Sequence, residues 1–298
     1  MAEEAATDTA GPKPVQMPGI AMPFGMRPER TFALVIGLPA LALYVAFTAL
    51  VIFVLSMMAN EINRLDDERT GQTVKAASRW FLQNLADATA DEGTWTEAYL
   101  NSVVTYNPAW LDSTWGTTAR EGLSYDNVLI TDQAGNILFA ENAVGPIEGN
   151  IVTRFTTAAS MLYELDQAIM LQGDDAVVSH FATDQDGVAG LTAVSIHRSG
   201  SSELTVPVEK RRILWLARHL TPAVLADFAE TFHIAPLKLD AAPSDERLAV
   251  DLLDTTGTVA GTLSWLPQKP GDGAFAHAML VALSVLFVIG VMLLTGLV

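Results

Sequence analysis

Two stretches of this chain carry no formal charge and are long enough to dictate where the rest can go. Residues 31–58 are one, 28 residues in all. The other is the closing 25 residues, AFAHAMLVALSVLFVIGVMLLTGLV, from 274 to 298. A helix needs about 20 apolar residues to cross roughly 30 Å of hydrocarbon. Core helices seldom run past about 20 residues without a polar face. The expectation is therefore two transmembrane helices, 31–58 and 274–298, with residues 59–273 between them. The first stretch is about twice the apolar core of a signal peptide, roughly 7–15 residues, so it reads as an uncleaved anchor.

Flanking charge orients the spans. Arg27 and Arg30 lie just before the first one. Arg64 and Arg69 follow it, diluted by Glu61, Asp66, Asp67 and Glu68. Acidic residues count little in this rule, and the two arginines nearest the span place the N-terminus in the cytoplasm. Residues 59–273 are then outside. The formal net charge of the chain is −17, and −16 of it falls on 59–273. Such a surface repels nucleic acid and anionic lipid, so no nucleic-acid partner is expected. There is no cysteine, so the outer segment must be held by its own core, and it is long enough to build one. The expected location is a bacterial inner membrane, with two spans and 59–273 in the periplasm.

Residues 1–30 hold prolines at 12, 14, 18, 23 and 28 and show no period, which reads as a disordered cytoplasmic tail. From 59 to about 90 there is no proline. Val74, Ala77, Phe81 and Leu85 recur at threes and fours, the mark of an amphipathic helix continuing from the span. In DEGTWTEAYLN (91–101), Asp91, Trp95 and Tyr99 are four apart and line one helical face. Pro108 is expected to break that helix.

Beyond it the period changes. Asp132-Gln-Ala-Gly135, Asp184-Gln-Asp-Gly187 and Asp254-Thr-Thr-Gly257 each sit between two short apolar runs. Asp first and Gly fourth suit a tight turn, so three hairpins and up to six antiparallel strands are predicted. Helices are expected at 156–171 and 221–232, the latter with Thr221 as N-cap and Pro222 at its first position. The fold class is α+β with an antiparallel sheet.

Catalytic and phosphate-binding motifs are missing: no G-x-S-x-G, H-E-x-x-H, P-loop or G-x-G-x-x-G occurs. No catalytic residue, metal site or cofactor is expected. DQDG at 184–187 lacks the later ligands of a calcium loop and reads as a turn. Lys210, Arg211 and Arg212 form the one basic triplet of the outer segment. They would serve either as an anion site for a small carboxylate or phosphate or as a solvated strand end that blunts a sheet edge. Asp91, Trp95 and Tyr99 are either packing anchors, with Asp91 as a cap, or the lining of a pocket for a cationic ligand. Asp91, Trp95, Tyr99, Arg211 and Arg212 are the candidate ligand-binding residues.

An Asp-x-x-x-Trp step after a long helix, the hairpin at 126–140 and the Trp-Leu-Pro-x-x-Pro-Gly run at 265–271 occur in this order. Together they resemble the fourth type of CHASE extracytoplasmic sensor domain over roughly residues 60 to 298. The resemblance implies a PAS-like sensor, a long helix packed on an antiparallel sheet, held between two spans. It also implies an unidentified small-molecule ligand and a signal passed through the second span to a cytoplasmic output domain. Such outputs are commonly diguanylate cyclase (GGDEF) and phosphodiesterase (EAL) domains or histidine kinases, and none lies within 1–298. A homodimer seamed by the 59–90 helix is expected. The lack of a basic residue after the second span suggests the sensory part of a larger receptor. Rival readings are a membrane-anchored enzyme using His180 with Asp184, or His197, and a two-span scaffold for partner proteins.

Overall fold

The three D-x-x-G segments organise the β structure as their chemistry demands. The first aspartate of each accepts, through Oδ1, a hydrogen bond from the backbone N–H two residues on: Ala134 at 2.9 Å, Asp186 at 2.8 Å and Thr256 at 2.8 Å. Each glycine then takes a positive φ, 81° at Gly135, 127° at Gly187 and 80° at Gly257, where an L side chain would be strained. The strands on either side pair as antiparallel hairpins. The computed structural model describes residues 33–296 except 145–146, 201–205, 241–243 and 245. The expected tail, 1–30, lies outside them.

Four helices of ten or more residues are described: α1 (Leu38–Gly93), α2 (Ala158–Gln172), α3 (Pro222–Thr231) and α4 (Pro270–Gly296). Eight strands accompany them. They are β1 (Asn127–Thr131), β2 (Ile137–Asn142), β3 (Val177–Asp184), β4 (Gly187–Ser195), β5 (Ile213–His219), β6 (Lys238–Asp240), β7 (Leu248–Leu253) and β8 (Val259–Trp265). The chain forms two compact units, one of residues up to Met57 together with 275–298, the other of Met58–Ala274.

The first unit holds the apolar parts of α1 and α4. Both helices are long and apolar enough to cross a membrane. Leu43, Phe47 and Phe53 on one, and Leu280, Phe287 and Leu294 on the other, are exposed. Tyr44 Oη donates to the Leu286 carbonyl at 2.8 Å.

In the second unit the strands make two antiparallel sheets rather than one. Five strands lie in the order β2-β1-β5-β4-β3, and three in the order β6-β8-β7. β5 is central, with Leu129 opposite Trp215 and Leu191 opposite Ala217. Residues alternate between the two faces of the large sheet, as a two-residue period requires. Leu129, Leu191, Trp215 and Ala217 pack with Met161, Leu165 and Ile169 of α2. Val128, Ile130, Val194, Leu214 and Leu216 pack with Leu85 of α1 and with Leu111, Trp115 and Ala119. The stripe Val74, Ala77, Phe81, Leu85 read from the sequence is buried, and its lower part packs with α3 and the small sheet. At Gly190 a Cβ would stand 2.7 Å from the Phe81 ring, so the missing side chain is what lets α1 lie against β4.

Two expectations are corrected. The helix through 91–101 does not form as one piece. α1 ends at Gly93, Trp95 is extended (φ −81°, ψ 130°), and a new helical turn starts at Thr96. Pro108 does not break a helix but starts one, at its first position, capped by Asn107 Oδ1 accepting from Trp110 N–H at 3.2 Å. Helical turns then run through residues 108–121.

The start of α4 is tied to α1 inside the second unit. Asn63 Oδ1 accepts from the Gly271 N–H at 2.7 Å, and Asn63 Nδ2 donates to Asp272 at 2.9 Å. A Cβ on Gly271 would stand 2.1 Å from the Ala59 carbonyl oxygen.

Candidate functional site

The break after Gly93 scatters the residues that a continuous helix would have aligned. Asp91 is exposed in the last turn of α1. Trp95 is 41% exposed and lies on Trp110, ring centres 5.4 Å apart; Trp110 in turn meets Trp115 at 5.6 Å. Tyr99 packs against the same cluster. The carboxylate that serves these rings is Glu92, which accepts from Trp115 Nε1 at 2.7 Å. Asp91 does not cap the next helix, whose N-cap is Trp95 with no side-chain bond.

Arg211 is on the other side of the sheet, against α2. Arg211 is 3% exposed, so it is no solvated strand end. Its guanidinium lies 3.5 Å from Asp166 and 3.8 Å from Asp174. A cavity of about 330 Å³ opens beside it, lined by Gln133, Tyr163 and Asp166 among others. Arg212 sits near Asp132, whose carboxyl stays below the usual range because bonds from Asn136 and Ala134, helped by Arg212, outweigh its burial. The five candidate residues therefore form no single site.

A second polar group, marked in the sequence only by the DQDG turn that supplies Asp184 and Asp186, lies where the ends of β1, β3 and β5 meet. His219 is buried between two carboxylates: Nδ1 is 2.9 Å from Asp126 and Nε2 is 3.0 Å from Asp184. Its backbone N–H also donates to Asp126 at 2.7 Å. Arg154 reaches Asp184 and Asp186, each at 3.3 Å. Burial opposes a charged His219, but the bonds from Asp126 and Asp184 outweigh it and raise its pKa to about 9. Burial likewise pushes Asp126 and Asp184 up, and their bonds to His219 bring both below the usual carboxylate range. Donor atoms of Asp184, Asp186 and His219 lie within 4.8 Å of one another, close enough for a metal ion. Arg154 and a protonated His219 already neutralise those carboxylates, so the geometry favours a closed ion network over a metal centre.

The histidines weighed for catalysis are also committed elsewhere. His180 Nε2 is 2.8 Å from Glu164, not Asp184. His197 lies between the Ser195 carbonyl at 2.8 Å and Asp175 at 2.7 Å.

A smaller cavity, about 230 Å³, lies on the α1 side. Trp80, Phe81, Asn84, Arg218, Asp227 and Phe228 are among its walls. Alternation along β5 could have marked both neglected residues. Arg218 shares a row with Leu214 and Leu216, and His219 shares one with Trp215 and Ala217, so each is a charge-bearing group at the end of an apolar row.

No curated protein matches the chain. A family model for the CHASE4 domain does, over residues 80–239. That stretch runs from the sheet-packed part of α1 through the whole five-stranded sheet and into β6, more than half of the sequence. The chain therefore belongs to the CHASE4 family of extracytoplasmic sensor domains of bacterial receptors.

Proposed function

We propose that this chain is the sensory input module of a bacterial transmembrane receptor. The apolar parts of α1 and α4 cross the inner membrane, with the N-terminus cytoplasmic and residues 59–273 in the periplasm. The domain binds a small molecule, and two copies pair along α1. The signal leaves through α4 to a cytoplasmic output domain, with cyclic-di-GMP synthesis or breakdown as the favoured output.

One observation carries the reading. α1 is a single unbroken helix, and it contains both the exposed apolar stretch and the Val74–Phe81–Leu85 stripe buried against the sheets. A displacement of the stripe is then a displacement of the whole helix. The Asn63 bonds to Gly271 and Asp272 extend that coupling to the start of α4. A long helix on one face of a five-stranded antiparallel sheet also supports the PAS-like reading. A ligand can shift the two-state balance only by its differential affinity, and moving it from 1:99 to 99:1 takes about 5.5 kcal/mol.

The native chain has no cysteine, so single cysteines placed along 62–85 give cross-links without background. Cross-linking in membranes is expected to peak every three to four residues on the exposed side of α1, at positions such as Gln72, Arg79 and Gln83. A profile without helical period would sink the dimer seam. Labelling of these positions by a membrane-impermeant maleimide on intact cells tests the topology.

A further inference from the structure

We propose that the cavity around Arg218 is a binding site for a small organic monocarboxylate with an apolar body. The site gives the sensory reading its ligand class and rests on that reading for its biological role alone.

Pairing and burial together single this arginine out among the described residues: Arg69, Arg79 and Arg212 also have no carboxylate within 4.0 Å, but none of them has a guanidinium nitrogen sealed from solvent without a partner. Arg64, Arg120, Arg154, Arg211 and Arg247 each have a carboxylate within 4.0 Å. Arg218 has no ion pair among the described residues, although the outer segment carries 30 acidic groups against 14 basic ones. It is nevertheless partly buried, and its Nε is sealed from solvent without a hydrogen-bond partner. Taking a guanidinium partly out of water with no carboxylate beside it and nothing to receive its Nε–H is unfavourable. A carboxylate satisfies that fork with two parallel bonds.

The walls fix the rest of the ligand. Trp80, Phe81, Leu85 and Phe228 give apolar surface, and Asn84 and Ser124 are the neutral polar groups. At about 230 Å³ the cavity is smaller than the roughly 300–1,000 Å³ of drug-sized pockets, so the ligand is small. Asp227 also lines the cavity yet makes no ion pair with Arg218. Its charge disfavours a dianion and accepts an ammonium group, so apolar amino acids fall within the class and dicarboxylates outside it. Arg211 is the contrasting case. Asp166 and Asp174 more than offset it, and the net negative charge they leave repels an anion.

The position matters as much as the chemistry. Trp80, Asn84 and Ala88 come from α1 itself, Asp227 and Phe228 from α3, and Arg218 from the end of β5. Trp80 is 47% exposed and rests edge-on against Phe232 at 5.6 Å. An occupant would thus touch the helix that the proposed relay uses.

Isothermal titration of the full chain in lipid nanodiscs with phenylacetate and isovalerate tests the site, with 2-phenylethanol, phenethylamine and succinate as comparators. At least one monocarboxylate is expected to bind saturably, and the comparators at least about tenfold more weakly. Arg218→Gln is expected to weaken that binding at least about tenfold, Arg218→Lys less, and Lys210→Gln not at all. Arg218→Gln is also expected to leave the melting temperature of the ligand-free chain unchanged or raised. Should it fail to fold, Trp80→Ala at the half-exposed wall is expected to weaken binding about fivefold. No saturable binding of either monocarboxylate up to about 10 mM overturns the proposal, as does binding that survives both substitutions within about twofold, or equal binding of the alcohol or the amine. Those results leave the cross-linking profile of α1 to decide the sensory reading. A flat profile with carboxylate binding intact removes the dimer seam and keeps the site.

Discussion

The two faces of the five-stranded sheet treat charge in opposite ways. On the α2 face, each of the three largely buried cations meets carboxylates. His219 sits between Asp126 and Asp184, Arg154 answers Asp184 and Asp186, and Arg211 answers Asp166 and Asp174. On the α1 face the interior is aromatic and aliphatic, with Phe81 stacked on Phe181 and Trp115 set among Leu111, Val128 and Leu214. At its edge is Arg218, which makes no ion pair among the described residues although Asp227 lines the same cavity. A buried network whose cations meet carboxylates is held within the fold and helps to specify it, although Arg154 Nε and Arg211 Nε make no hydrogen bond there. An unbalanced group leaves a binding opportunity, and here it lies beside the helix that also holds the apolar stretch. Under the proposed reading, one face serves structure and the other reception.

The largest blow to this contrast is expected from Asp184→Ala. It strips His219 and Arg154 of their shared partner and is expected to destabilise by about 3–5 kcal/mol, read from urea unfolding. Stability near neutral from a substitution at Asp184 would mean that the network is solvated and the contrast false.

The pH dependence comes next. The folded pKa of His219 is raised to about 9, above its ordinary value. Its contribution is therefore complete below about pH 6.5 and lost as pH rises through about 9, a loss of about 3 kcal/mol at most. His219→Gln is expected to flatten that alkaline decline. Asp126 and Asp184 act with the opposite sign, since both are held low. Their contribution is present above about pH 4 and lost as pH falls through their folded values.

Gly190→Ala sharpens the picture on the other face. The new methyl would meet Phe81 at 2.7 Å and push α1 off β4. A destabilisation of about 2 kcal/mol is expected, together with a changed cross-linking profile on α1. The smallest effect is expected from Arg218→Gln without ligand, within about 1 kcal/mol of the parent and on the stabilising side. Loss of several kcal/mol there would show that Arg218 is structural and erase the distinction between the faces.

Local chemistry explains which parts could be read in advance. The D-x-x-G turns were legible because Asp and Gly act within four residues. The α3 start was legible because Thr221 accepts from Val224 N–H and Pro222 occupies the first turn. The interruption at Thr94 and Trp95 was not, since no proline marks it. It arises where Gly93 lies against Val194 and Trp95 turns to meet Trp110 at a tilt of 51°. The helical turns at 108–121 hid behind Pro108, which reads equally as a stop or a start. The split into two sheets depends on which strands β8 meets, a long-range choice that no short motif encodes. For the site, Arg211 was visible as part of a basic triplet but its burial was not, because Asp166 and Asp174 are far from it in sequence. Arg218 and His219 were visible only as polar groups ending apolar rows, a signal weaker than any named motif.

Gly271 and Asn63 set a rule for anyone exchanging modules between receptors. The backbone of α4 reaches so close to Ala59 that only hydrogen fits between them, and Asn63 spans the same gap with two hydrogen bonds. These partners are more than 200 positions apart in the sequence. A chimaera cut anywhere between them would join a helix start to a foreign neighbour. Grafts that move 58–274 as one cassette keep lock and key together, and the seams belong in the apolar helices on either side.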